Sequence, residues 1–122
     1  MGKIVNDQVL DGAFDILDQA NLMTVCSAQP FTRDEAVNTY ALADVVLVPD
    51  VDFTKANGDI NGRKVTIAGK NVVAVDVSGT ATHLALVNDT DLLYVTTLNS
   101  QALTALNTVD IPAWDVEISD PV

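Results

Sequence analysis

The sequence predicts a mainly β protein, an antiparallel β-sandwich or barrel of jelly-roll-like kind, with one or two short helices in its N-terminal third. Three observations carry that expectation. From Asp44 onward, stretches of four to eight residues rich in Val, Ile, Leu and Thr alternate with clusters of Gly, Asn, Asp and Pro, the rhythm of short strands joined by turns. Apolar residues make up 48% of the chain but aromatics only 5%, an aliphatic mix suited to a sheet-rich core. Helical periodicity is confined to the residues before Asp44.

The elements follow in chain order. Over residues 8–20, Val9, Leu10, Ala13, Phe14, Leu17 and Ala20 recur at helical spacing, with Asp7, Asp11, Asp15 and Asp18 on the other side. Asp7 stands where an N-cap is expected, and acids in a first turn suit the helix dipole. Residues 22–27 read as a first strand. Thr32-Arg33-Asp34-Glu35 has the form of a capping box, in which Thr32 and Glu35 satisfy each other's backbone donors and start a short helix through about Ala43. Residues 45–48 are apolar throughout and read as a buried strand, ended by Pro49-Asp50. Asn57-Gly58-Asp59-Ile60-Asn61-Gly62 is a concentrated turn signal before a strand at 63–67. Ala68-Gly69-Lys70-Asn71 reverses the chain into 72–77, Ser78-Gly79 leads to 82–87, and Asn88-Asp89-Thr90-Asp91 leads to 92–97. A looser stretch at 98–107 precedes strands at 109–111 and 114–118. Several strands are mildly apolar on both faces: Val73, Val75 and Val77 point one way, Val72, Ala74 and Asp76 the other. A sheet with one wet face alternates more cleanly, so the pattern points to a subunit packed against neighbours.

A chain of 122 residues fits a single domain spanning 1–122, able to bury roughly two-thirds of its unfolded surface without disulfides or metal. No apolar run approaches the ~20 residues of a membrane span. The start, Met1-Gly2-Lys3-Ile4-Val5-Asn6-Asp7, lacks the apolar stretch of a signal peptide, and position 6 is not the Ser or Thr of a myristoylation motif. Cys26 is the only cysteine, which excludes an internal disulfide and a cysteine zinc site. Seventeen acids against six bases give a formal charge of −11. Phosphate neutralisation needs clustered bases, so nucleic acid is not an expected partner. Lys55, Arg63, Lys64 and Lys70 nevertheless fall in one short segment. That segment is either a solvated hairpin or a surface that docks on an acidic neighbour.

Residues that could carry chemistry are few. His83 is the only histidine and lies inside a strand pattern, and no serine sits in a Gly-x-Ser-x-Gly context, so no triad can be assembled from motif and spacing. Asn57-x-Asp59-x-Asn61-Gly62 has oxygen ligands at alternate positions followed by glycine, as at the start of a calcium loop. Its first ligand is neutral and Ala68 stands where the closing glutamate belongs, so Asn57, Asp59 and Asn61 read first as turn residues. The carboxylate pairs Asp89/Asp91 and Asp115/Glu117 share strand faces or turns, an arrangement a glycosidase could use and an acidic surface also produces. There is no glycine-rich phosphate loop. The expectation is a protein that is not an enzyme, with no cofactor and no catalytic residues.

The sequence resembles a family of small structural proteins of tailed bacteriophages and prophages. The resemblance is carried by Thr24-Val25-Cys26-Ser27-Ala28-Gln29-Pro30, Tyr40-Ala41-Leu42-Ala43-Asp44, Asn61-Gly62-Arg63-Lys64-Val65-Thr66, Gly79-Thr80-Ala81-Thr82-His83-Leu84-Ala85-Leu86-Val87, Leu93-Tyr94-Val95-Thr96-Thr97 and the run from Ile111-Pro112-Ala113-Trp114 to Pro121. It implies a virion protein, made in the bacterial cytoplasm, homo-oligomeric, with other virion proteins as partners. An acidic chain without a basic arm is repelled by packaged DNA, which favours an outer decoration or cement protein bound to the major capsid protein. A neck or tail component is the alternative. A stand-alone carbohydrate- or cation-binding sandwich is the rival of another class.

Overall fold

The computed structural model describes residues 5–120. It is mainly β and antiparallel, with a sandwich-like arrangement of three sheets behind an N-terminal helix. Helix α1, Asp7–Leu17, buries Leu10, Phe14 and Leu17, the i, i+4, i+7 stripe that its periodicity defines. Its N-cap is Asn6 and not Asp7: the Asn6 side chain accepts from the Gln8 N–H at 2.8 Å. Asp7 is instead the first helical residue. The helix stops at Leu17 because Gln19 and Ala20 turn back onto the Ile16 and Leu17 carbonyls, which still buries Ala20 completely.

Nine strands follow among the described residues: β1 Leu22–Cys26, β2 Ala41–Val46, β3 Phe53–Asn57, β4 Arg63–Ile67, β5 Lys70–Ala74, β6 Gly79–Val87, β7 Leu92–Leu103, β8 Thr108–Ile111 and β9 Trp114–Ile118. One sheet runs β2-β1-β6-β7, a second β3-β4-β9, and a two-stranded ladder β5-β8. Phe14, Met23, Leu47, Ile67 and Leu86 are the largest fully buried apolar side chains. Each contributes roughly 1.5–3 kcal/mol by leaving water.

Four local expectations change. The capping box at Thr32 starts a single π-helical turn, Glu35–Thr39, and the chain enters β2 at Ala41 where a helix to Ala43 was expected. Val37-Asn38-Thr39 are poor helix formers. Thr32 Oγ1 accepts from the Glu35 N–H at 3.1 Å, but Glu35 answers Phe31 N at 2.9 Å instead of Thr32. Residues 45–48 are not a buried strand either: β2 ends at Val46, and side chains alternate there, so Leu47 is buried while Val46 is 68% and Val48 50% exposed. The Ala68-Gly69 reversal does not return β5 along β4. It hands the chain to the other ladder, where β5 pairs with β8 through a bulge between Lys70 and Val73. Finally, β7 continues through the stretch read as loose, with an irregular register opposite Ala81 and His83.

The second apolar face of the four-stranded sheet is partly used within the chain. Cys26, Ala36, Ala85 and Val87 form a separate small core, with Val37, Tyr40 and Val95 packed against it. The π-helical turn thus covers one end of that face.

Candidate interaction surface

The basic segment lies on the chain's own acids. Asp11, Asp15 and Asp18 form one stripe along α1, and the β3–β4 hairpin faces it. Lys55 binds both Asp15 and Asp18, the latter at 2.9 Å. Arg63 grips Asp11 with Nε at 2.9 Å and Nη2 at 3.2 Å, and donates Nη1 to Asn57 Oδ1 at 2.9 Å. Lys64 reaches Asp59 at 2.7 Å and Asp115 at 3.8 Å, and Lys70 reaches Asp52 at 3.0 Å. The bonds to Asp15 and Asp18 raise the Lys55 pKa above its ordinary value. Burial works against ionisation of Asp52, yet the Val48 N–H and Lys70 hold it below the usual carboxylate range. Lys55, Arg63, Lys64 and Lys70 therefore make no open basic patch. They are basic in sequence and nearly neutral in space.

The candidate loop is closed in the same way. The Asn57 amide oxygen serves Arg63, Asp59 serves Lys64, and Asn61 Oδ1 accepts from Asp120 N at 3.0 Å. Gly58 N donates to the Gly62 carbonyl at 3.0 Å, and Glu117 takes Asp59 N at 2.8 Å. The three side chains point at three different protein donors, so their oxygens do not converge on a common centre. Millimolar calcium is accordingly expected to leave the melting temperature unchanged, measured with and without EDTA. A rise of several degrees that Asp59→Ala abolishes would establish a cation site.

His83 sits half-buried in β6, with Nδ1 2.8 Å from the neighbouring Thr82 hydroxyl. Cys26 is buried and its thiol pKa is raised, by desolvation first, against a bond from Thr24. The carboxylate pairs hold structure: Asp89 accepts from Asn21, Asp91 from Thr90, Asp115 from Thr66 and Glu117 from Asp59. Trp114 packs on Tyr94, ring centroids 6.0 Å apart, and its buried indole N–H has no acceptor among the described residues. Beside it, between β7 and the β8–β9 segment, is a cleft of about 420 Å³ lined by Leu84, Leu98, Asn99, Ile111 and Trp114.

What sequence reasoning missed is the outer surface. Ile60 is 95%, Leu106 97%, Phe31 76% and Val51 76% exposed. Ile60 stands between Asp59 and Asn61 and Val51 between Asp50 and Asp52, so the polar turn residues around them were the one signal that could have placed them outside. Nor could the pairing order, which leaves β7 with β6 as its sole partner among the described residues, be read from strand lengths. Comparison with family models, curated proteins and solved structures finds no match for this chain.

Proposed function

We propose that this chain is a non-enzymatic structural subunit of a tailed-phage particle, a decoration or cement protein on the outer head surface. The observation that supports it most is the set of large apolar side chains left in water on a strongly acidic sandwich that is otherwise well packed. Apolar side chains left in water are available for a neighbouring subunit to cover, as in the apolar core of an interface, and a net charge of −11 keeps the chain off packaged DNA. Attachment then rests on these apolar positions, since the four clustered cations already have partners in the chain. A carbohydrate-binding module has less support, because Trp114 and Tyr94 pack on one another instead of presenting a free ring.

Quantitative mass spectrometry of purified particles, with the major capsid protein as internal standard, tests the reading. A decoration protein is expected at a fixed ratio commensurate with the capsid subunits. A few copies per particle would move it to the neck or tail, and absence from intact particles would overturn the proposal.

A further inference from the structure

Strand β7 is an edge of the four-stranded sheet, paired among the described residues with β6 alone, so one side of it presents backbone donors and acceptors that no described strand pairs. Edge strands are normally guarded by a charge or a proline. The other edge strands comply: β2 carries Asp44, β3 Lys55, and β9 Asp115 and Glu117. β7 has neither. Residues 92–109 contain no charged residue and no proline, the longest charge-free run in the chain, and Thr97, Asn99, Ser100, Gln101 and Ala102 are exposed.

We infer that β7 is a self-association edge, at which a second copy of this chain adds its own β7 antiparallel about a two-fold axis. Charge selects the occupant. Two molecules of net charge −11 repel wherever their carboxylates meet, and the cations of the β3–β4 hairpin already have partners. Along β7 itself no charged side chain opposes another, the nearby acids Asp110 and Asp115 lying across the adjacent cleft, and the ladder satisfies backbone groups on both. An antiparallel strand pair is isologous, so it closes at the dimer. The inference stands apart from the virion reading, since a solution dimer can be found or excluded without any particle.

Sedimentation equilibrium of the purified chain and of Thr97→Lys/Gln101→Lys tests it. The two lysines place like charges across the ladder but lower the overall net charge, so the edge and the global charge make opposite predictions. Edge pairing requires a wild-type dimer that tightens as salt screens the acids, and a variant dimer weakened about tenfold or more with the melting temperature kept. Hydrogen exchange of the wild type gives a readout independent of any variant: amides of residues 92–103 gain protection as concentration rises. A wild type that stays monomeric at high concentration overturns the inference. So does a folded variant that dimerises as well as or better than wild type, or concentration-dependent protection confined to other strands.

Discussion

Lys55→Met is expected to destabilise the fold by about 3–5 kcal/mol, an unusually large effect for a lysine. Asp18 is only 3% exposed, and one of its carboxylate oxygens has no hydrogen-bond partner among the described residues. The other is held by Lys55 at 2.9 Å, so removing the amine leaves a buried charge uncompensated. Adding Asp18→Asn to Lys55→Met should regain most of the loss, because the charge then goes with its partner. Urea denaturation of the two single variants and the double variant measures this. A loss below about 1 kcal/mol for Lys55→Met would mean the pair behaves as an ordinary surface bridge. The pH dependence follows the direction of the shift. Folding raises the Lys55 pKa above 10.5, so this stabilisation is complete below that pH and fades as pH climbs toward the folded value. The Asp52 pKa is lowered, so its contribution is present at neutral pH and fades on acidification.

The second large effect is at Gly62. Its φ is +73°, and a Cβ there would lie 2.0 Å from the Ile118 carbonyl oxygen and 2.8 Å from Ser119 Cα. Both obstacles are backbone, so Gly62→Ala has to push β9 away from the start of β4. A cost of about 3 kcal/mol or more is expected from the clash and the left-handed conformation together. Gly12 is the contrast: it lies inside α1, with nothing within 4 Å of the added methyl. Gly12→Ala should stabilise by about 0.5–1 kcal/mol. Thermal melts of both variants check the pair, and a neutral Gly62→Ala would show that the turn is softer than its contacts imply.

The fold class and most strands were legible because the turn residues are unambiguous. Asn57 to Gly62 separates β3 from β4, and Asn88 to Asp91 separates β6 from β7, where polar side chains cap their own backbone. Partnership between strands was not legible. Gly69 looks like a hairpin turn, yet its neighbours across space are Ala113 and Ile111, and nothing local distinguishes a reversal from a change of sheet. The fate of the cations was half-written: Asp11, Asp15 and Asp18 follow the 4, 3 spacing of a single helical stripe, which marks one acidic face. That this face meets Lys55 and Arg63 depends on contacts 40 and 52 residues apart, and pairwise charge matching in sequence cannot choose among so many acids. The choice between a solvated hairpin and a docking surface therefore turned on contacts that spacing does not contain.

The position of β1 has a consequence for how the molecule is made. β1 is a central strand, between β2 and β6, and Leu22 lies opposite Val87. A ribosome adding about 5–20 residues per second therefore leaves β1 without its second partner for roughly 3–13 s. During that interval Met23, Val25 and Cys26, all buried in the finished protein, have no sheet to close over them. Pairing so distant also slows the search for the native topology. The nascent chain should thus be most prone to aggregate before Val87 emerges, and slower synthesis at low temperature would lengthen that exposure even as it weakens the hydrophobic contacts that make it dangerous.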